Sequence, residues 1–498
     1  MGSLTLASIY HMQLGVENEK SIISALPNIT KRMLPFADAA SSDFPLGQLL
    51  RLSLFQISVG MASVMLLGTL NRVMIVELSV PALIVASMIA LPVLIAPFRA
   101  LLGFRSDNYR SAIGWKRVPY LWFGSLWQMG GLAIMPFSLM VLSGDQTLGP
   151  SWAGEVLAAL AFIMTGIGLH MTQTAGLALA SDRASDENRP RVVALLYVMF
   201  LVGMGISALI IGWLLRDFTS LLLIRVVQGA AIVGLLLNLI ALWKQESINP
   251  MSKEDRSLPK PVFREAFSDL IKSGQTARLI CVVFLGTIAF NMQDVLLEPF
   301  GGEVLGLSVG KTTWLTASWA LGALLGLAYA AHRLDRNGDS TRLMRGGLLV
   351  GLIAFPTVIF SAPLGSALLF FIGALLIGFG AGLFSVATLI LAMTIPISGL
   401  AGRGLAIGAW GAAQATAAGI SIALGGFLRD LINYHAMRGA WGEALATPAT
   451  GYSFVYHSEI ALLIVTLLVL FPLIRQGQGI ASKTDQGSAG IRLADFPM

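Results

Sequence analysis

Residues 103–117 read Gly-Phe-Arg-Ser-Asp-Asn-Tyr-Arg-Ser-Ala-Ile-Gly-Trp-Lys-Arg and connect two long apolar runs. So much charge in so short a connection predicts a loop at a water-facing side of a bilayer. The four Lys and Arg residues of this loop indicate the cytoplasmic side, because positively charged loops resist translocation. The stretch therefore predicts a membrane protein in which the flanking apolar runs are transmembrane helices.

The composition agrees with a membrane protein and excludes several other classes. Of the 498 residues, 55% are hydrophobic and only 12% are charged, with a mean hydropathy of +0.76, whereas soluble domains carry roughly 25% charge. The net charge of +6 follows from basic loops and does not indicate nucleic-acid binding. The sequence holds no phosphate-binding loop, Cys/His cluster or catalytic triad, so it does not predict an enzyme. Cys281 is the single cysteine, which excludes a disulfide framework.

Twelve apolar runs have about the 20 residues that a membrane span needs. The predicted spans are 49–71, 80–102, 118–142, 155–180, 192–215, 221–243, 277–298, 311–331, 344–361, 366–392, 404–428 and 453–474. Most of the 33 Lys and Arg residues then fall on the side of the two termini, which predicts both termini in the cytoplasm. The predicted organisation is an interfacial segment (1–46), a six-helix half (47–243), a cytoplasmic linker (244–276), a second six-helix half (277–475) and a tail (476–498).

The two halves resemble copies of one another. At one constant spacing Gly166 matches Gly378 and Gly168 matches Gly380. The motif Gly205-Ile-Ser…Leu215-Arg-Asp217 recurs as Gly419-Ile-Ser…Leu428-Arg-Asp430. Because a unit of six spans returns the chain to its starting side, the copies have the same orientation. The sequence predicts an all-α membrane protein made of two parallel six-helix repeats.

The loop at 103–117 resembles the loop between helices 2 and 3 of major facilitator superfamily (MFS) transporters, with the pattern Gly-x-x-x-Asp-Arg-x-Gly-Arg-Lys. Here Arg110 follows Asp107 by three residues instead of one. The resemblance implies an MFS-type fold and a clamp between the halves in one of two alternating states. The clamp residues would be Gly103, Asp107, Arg110, Gly114, Lys116, Arg117, Asp335, Arg191 and Arg403.

Within this clamp, Asp107 would face Arg403 and Asp335 would face Arg191, each at a helix N-terminus that favours a carboxylate. Removal of both carboxylates is expected to shift the balance between the two states. The alternative is a basic membrane anchor without a clamp.

A first group of polar residues lies inside span four. His170, Gln173 and Thr174 share one face of a helix, and Gly166 and Gly168 allow another helix or a flat ligand to approach closely. One interpretation is hydrogen bonding between helices. The other is a binding site in which His170 is an axial ligand to the metal of a tetrapyrrole.

A second group, Asn291, Gln293, Asp294 and Glu298, predicts a polar stripe on span seven. Charged side chains inside a bilayer are energetically costly, so they indicate a structural or functional role. A structural network closing the outer mouth, proton coupling, and contact with a substrate or partner all remain open. Glu459, in contrast, is expected at the edge of its span, where it would reach water.

Span seven also carries a resemblance to a known family. Three stretches are similar to the PucC/LhaA (bacteriochlorophyll delivery) family of purple phototrophic bacteria: residues 289–302, residues 103–120, and His170-Met-Thr-Gln-Thr-Ala-Gly-Leu-Ala-Leu-Ala-Ser-Asp182. The resemblance implies a factor that assembles light-harvesting antenna complexes, LH1 or LH2. The implied partners are antenna α/β polypeptides and, transiently, bacteriochlorophyll a, in the intracytoplasmic photosynthetic inner membrane.

A secondary transporter of an amphipathic solute, with Asp294 coupling protons, is the alternative function. The interior is poor in the Arg and Lys pairs expected around anionic metabolites, so either cargo is predicted to be largely apolar.

Overall fold

The computed structural model describes residues 39, 44–94, 115, 117–142, 150, 152–185, 188–246, 274–334, 339–394 and 403–481. Within this part the chain forms twelve principal helices, numbered here in chain order. They are α1 (Leu46–Glu77), α2 (Ala82–Leu94), α3 (Val118–Leu142), α4 (Ala153–Arg183), α5 (Arg189–Leu214), α6 (Ser220–Leu242), α7 (Gly274–Asn291, continued by a 3-10 turn, Met292–Val295, and Leu297–Glu303), α8 (Val309–Leu334), α9 (Ser340–Ser361), α10 (Ala367–Thr394), α11 (Arg403–Met437) and α12 (Ala449–Ala481).

Eleven of the helices in the described part are long and apolar enough to cross a bilayer, and the protein is a multi-pass membrane protein. The remaining helix, α2, has 13 apolar residues and covers the first part of the predicted span 80–102. The interfacial segment and most of the linker and tail lie outside the described residues.

Helix α1 continues beyond its predicted end at residue 71. Its last turns, Val64–Leu70 and Val73–Glu77, have wider π-helical hydrogen bonding. The predicted span ends at residue 71, one residue before Arg72. In the structure Arg72 is only 3% exposed and forms an ion pair with Glu77 within the same helix, so the helix continues past it.

The two halves share most of their internal packing. In the first half α1 packs against α5 and α6, α3 against α4 and α6, and α2 against α4. In the second half α7 packs against α11 and α12, α9 against α10 and α12, and α8 against α10. Each of these contacts therefore recurs six helices later, as parallel repeats require.

The matched glycines occupy equivalent places in the two repeats. On α4, Gly166 lies against α2 and Gly168 against α3. On α10, Gly378 lies against α8 and Gly380 against α9. Each glycine lets a neighbouring helix approach so closely that a Cβ atom would collide with it, and this is how small residues bring membrane helices together.

The halves meet through α2 with α11 and through α5 with α8. Gly419, near the middle of α11, lies against Leu94. These contacts continue toward the end of the bundle where α1 ends and α2 begins, called here the distal face. There Asp430 of α11 accepts a hydrogen bond from the backbone of Leu83.

Candidate functional site

The polar residues of span seven surround an interruption of α7 rather than a continuous helix. Pro299 has no N–H, so the carbonyl group of Val295, four residues earlier, has no helical donor. The Nδ2 atom of Asn71, on α1, donates to this carbonyl at 2.8 Å and also to Leu67 O at 3.0 Å. The predicted span 277–298 is confirmed as Ala277–Glu303, but its helix is interrupted at Met292–Val295, and α1 supplies the donor that makes the interruption stable.

Gln293 lies at the centre of the interruption. Its backbone N–H donates to Oε1 of Glu459 at 2.7 Å, and its side-chain amide donates to Asp294 and to Phe290 O. Asn291 Nδ2 donates to the other carboxylate oxygen of Asp294 at 3.0 Å. The structure thus brings Asn291, Gln293 and Asp294 together, as the sequence predicts, and adds Glu459.

Glu298 faces away from this group, toward α1 and α8. Its side chain is only 4% exposed and accepts a hydrogen bond from the hydroxyl of Thr316. It also lies directly against Gly68, where a Cβ atom would collide with the carboxylate. Glu298 therefore belongs to a contact between the two halves.

Glu459 is not an edge residue, and that prediction is wrong. It is fully buried, with 0% exposure, about 15 Å along α12 from its start. The carboxylate can lie there because it accepts the N–H that the interruption of α7 leaves without a helical partner. A buried donor and a buried acceptor satisfy each other at this position.

A second buried polar group fastens the distal face. Tyr452 Oη donates to Glu303 at 3.0 Å, and Arg429 donates to Glu303 and, at 2.7 Å, to Asp430. Asp430 in turn accepts from the backbone N–H of Leu83 at 2.7 Å. The group joins α7, α11 and α12 of the second half to the start of α2 in the first half.

The residues predicted on span four lie near the middle of α4. His170, Gln173 and Thr174 are half-buried, and the Thr174 hydroxyl donates to the carbonyl oxygen of His170 at 2.8 Å. Gly166 and Gly168 are covered by α2 and α3. These two glycines thus bring helices together and present no flat surface to a ligand.

Among the clamp residues, Arg117 and Arg191 have described side chains. Arg117 is 5% exposed; its Nε donates to Asp182 at 3.0 Å, and the backbone N–H groups of Arg117 and Val118 donate to Glu246 at 3.0 and 3.1 Å. These contacts tie α3 to the ends of α4 and α6 within the first half. Arg191 is half-buried in the first turn of α5.

The other clamp residues lie outside the described side chains: Gly103, Asp107, Arg110, Gly114, Lys116, Asp335 and Arg403. The clamp between the halves stays a prediction.

Comparison with known proteins agrees with this architecture. A bacterial homolog of the human lysosomal transporter Spinster, in an inward-facing and unoccupied conformation, aligns with a TM-score of 0.64 at 16% identity, over 86% of this chain and 96% of that one. Twelve helices in the described part, two parallel repeats and the α2–α11 and α5–α8 contacts define a membrane protein with an MFS-type fold.

The sequence comparisons place the chain within that class. A family model described as "PUCC protein" matches residues 69–478. A Rhodobacter capsulatus protein described as "Uncharacterized protein in puhA-bchM intergenic region" is 62% identical over 464 residues, 93% of this chain and 97% of that protein. "Protein PucC" of Rhodovulum sulfidophilum is 52% identical over 417 residues, 83% of this chain and 91% of that protein. The chain belongs to the PucC protein family.

Proposed function

We propose that this protein is a non-enzymatic assembly factor for light-harvesting antenna complexes, LH1 or LH2, which binds bacteriochlorophyll a transiently and delivers it to antenna α and β polypeptides. Membership of the PucC protein family over residues 69–478 carries the proposal. The surfaces of the helices support it, because they expose many large apolar side chains, which suit lateral contact with other transmembrane helices.

The interior of the bundle favours an apolar client over a charged solute. The buried ionisable side chains are engaged with one another or with the backbone, as in Arg429 with Glu303 and Glu459 with Gln293. Such pairs hold helices together and leave few charges to receive a water-soluble cargo. The proposed location is the intracytoplasmic photosynthetic inner membrane with both termini in the cytoplasm, as the distribution of Lys and Arg favours.

A bacteriochlorophyll needs an apolar surface for its macrocycle and a neutral nitrogen or oxygen ligand for its magnesium. On α4 the His170 imidazole supplies the ligand chemistry, but neighbouring helices cover the glycines beside it. Binding of bacteriochlorophyll at α4 would therefore depend on the half-buried ring of His170 alone, because no flat surface lies beside that ring.

Purification of the tagged full-length protein from photosynthetic membranes in a mild detergent tests the assembly function. We expect antenna α and β polypeptides and bacteriochlorophyll absorbance in the eluate, and neither with an equally tagged unrelated membrane protein. An eluate without antenna polypeptides contradicts the assembly function. An eluate with these polypeptides but without pigment contradicts the delivery of bacteriochlorophyll.

A second function is favoured by one observation, the three carboxylates around α7 in the membrane-spanning part. Asp294, Glu298 and Glu459 lie where an MFS-type protein could couple protons to the movement of an amphipathic solute. Vesicles reconstituted with pigment-free protein would then take up such a solute along a proton gradient. Uptake would stop in Asp294→Asn and continue in the control Asp217→Asn, whose side chain is exposed. Vesicles without uptake contradict this function.

A further inference from the structure

The outward face of α12 carries a histidine that the contacts of the bundle do not use. The buried side of this helix, which packs against α7, α9 and α11, consists of Tyr452, Val455, Tyr456, Glu459, Leu463, Thr466 and Leu470. The opposite side exposes Phe454, His457, Ala461, Ile464 and Leu468. The ring of His457 therefore points away from the bundle, toward lipid.

His457 lies inside the apolar span of α12 rather than beyond its end. It follows Ala449, the first residue of α12, by about 12 Å of helix. The apolar span of this helix runs over 23 residues, Ala449–Phe471. A polar ring on the lipid-facing side of a membrane span is unfavourable unless it has a partner.

A hydrogen bond within the helix determines which nitrogen of His457 is available. Nδ1 lies 2.7 Å from the backbone carbonyl oxygen of Ser453. A carbonyl oxygen accepts and has no proton to give, so Nδ1 carries the proton. In the neutral ring the lone pair then belongs to Nε2, on the side of the ring away from this carbonyl. Metal-binding histidines have this arrangement, in which one nitrogen donates to a backbone carbonyl and the other coordinates.

The surroundings of the ring limit what Nε2 can coordinate. The described residues contain no group of three or more His, Cys, Asp or Glu that could hold a metal ion, so a bare cation lacks ligands here. Ser453 and Ala461, one turn before and one turn after His457, are small enough for a flat ring to approach the helix. Phe454 and Leu468 add apolar contact area. The site suits a metal that brings its own equatorial ligands in an apolar macrocycle.

We propose that Nε2 of His457 is the axial ligand to the central magnesium of a tetrapyrrole of the bacteriochlorophyll class, bound on the lipid-facing surface of α12. This inference rests on the proposed function, since it assumes that the protein handles pigment. It places the pigment outside the bundle, where an incoming transmembrane helix reaches it without passage through the interior.

Titration of the full-length protein in lipid nanodiscs with bacteriochlorophyll a, followed by the absorbance shift of the bound pigment, tests the site. We expect the wild type to bind and His457→Ala to bind at least about tenfold more weakly. The control His435→Ala, which removes an exposed histidine at the end of α11, should bind as the wild type does, and His170→Ala tests the alternative ligand on α4. Added imidazole should restore binding to His457→Gly, which a purely structural role would not allow. Gel filtration and circular dichroism verify that each variant is folded.

The outcomes separate this site from the proposed function. Wild-type affinity in His457→Ala overturns the His457 site and leaves pigment delivery intact, and a loss confined to His170→Ala moves the ligand to α4. A wild type that binds no pigment overturns both this site and pigment delivery. The co-purification of antenna polypeptides then still decides the assembly function.

Discussion

The carboxylate of Asp430 on α11 accepts a hydrogen bond of 2.7 Å from the backbone N–H of Leu83 in the first turn of α2. The first N–H groups of a helix have no partner within the helix, and its N-terminus favours negative charge. Asp430 supplies both an acceptor and a charge from the other half of the protein. One side chain thus fastens the two halves at the distal face.

Replacement of Asp430 is expected to loosen the distal face. Asp430→Ala removes an interaction of the helix-capping kind, which contributes about 1 kcal/mol. In a Cys281→Ser background, spin labels at Ser79→Cys and Ala440→Cys should report longer and broader distances across the distal face. Asp217→Ala is the matched control, because Asp217 occupies the equivalent position in the first repeat but is exposed and paired only with the adjacent Arg216 among the described ion pairs. Equal distance distributions in Asp430→Ala and wild type contradict the prediction.

Asn71 and Pro299 are expected to be energetically coupled. Asn71→Ala leaves the buried carbonyl of Val295 without its donor, at a cost of about 1–3 kcal/mol. In Pro299→Ala the new N–H at position 299 can donate to this carbonyl, so the same Asn71 substitution should cost less. A double-mutant cycle of thermal unfolding in detergent measures the difference. Strictly additive effects refute the coupling.

Glu459 is expected to stabilise the protein as a hydrogen-bond acceptor rather than as a charge. Glu459→Gln retains an oxygen for the N–H of Gln293 and should stay near wild-type stability. Glu459→Leu leaves that N–H buried and unpaired, which should lower the free energy of unfolding by about 1–3 kcal/mol. Thermal unfolding in detergent measures both, with Glu443→Leu at an exposed position as the control. The idea fails when Glu459→Leu unfolds at or above the wild-type temperature.

Gly378 is expected to tolerate no side chain. A Cβ atom at this position would collide with the backbone carbonyl oxygen of Trp319 on α8. Gly378→Ala must therefore push the two helices apart, which should lower the free energy of unfolding by about 1–3 kcal/mol. Gly346→Ala on α9 is the matched control, because no atom lies within 4 Å of the added Cβ there. Since alanine favours the helix over glycine, this control should be neutral or more stable by up to about 1 kcal/mol. Similar unfolding temperatures for the two variants disprove the close contact.

The membrane spans and the repeat could be predicted from the sequence because both depend on local composition. A run of about 20 apolar residues is enough to predict a span, and the matched glycines and the recurring Leu-Arg-Asp motif indicate the duplication. The prediction fails at Glu459, where the type of the side chain alone indicates a membrane edge. Glu459 is buried and accepts the backbone N–H of Gln293.

The candidate site was predicted only as far as neighbours along the chain determine it. Asn291, Gln293 and Asp294 lie within four consecutive residues, so their grouping follows from the sequence. The partner of Gln293 lies 166 residues away, and no local pattern indicates it. Pro299 was the available signal for the interruption of α7, since it deprives Val295 of a helical donor. His457 could not be distinguished from other histidines, because its orientation depends on which side of α12 packs against the bundle.

The hydrogen bond between Asn71 and Val295 has a consequence for biosynthesis. The two residues are 224 positions apart, so α1 leaves the ribosome long before α7 is synthesised. Until α7 is inserted, the side-chain amide of Asn71 lacks its acceptor on Val295. The first half therefore reaches its final structure only after insertion of the seventh span. Expression of residues 1–246 as a separate polypeptide should therefore give a fragment that membrane proteases degrade rapidly, and co-expression of the remaining residues should rescue it.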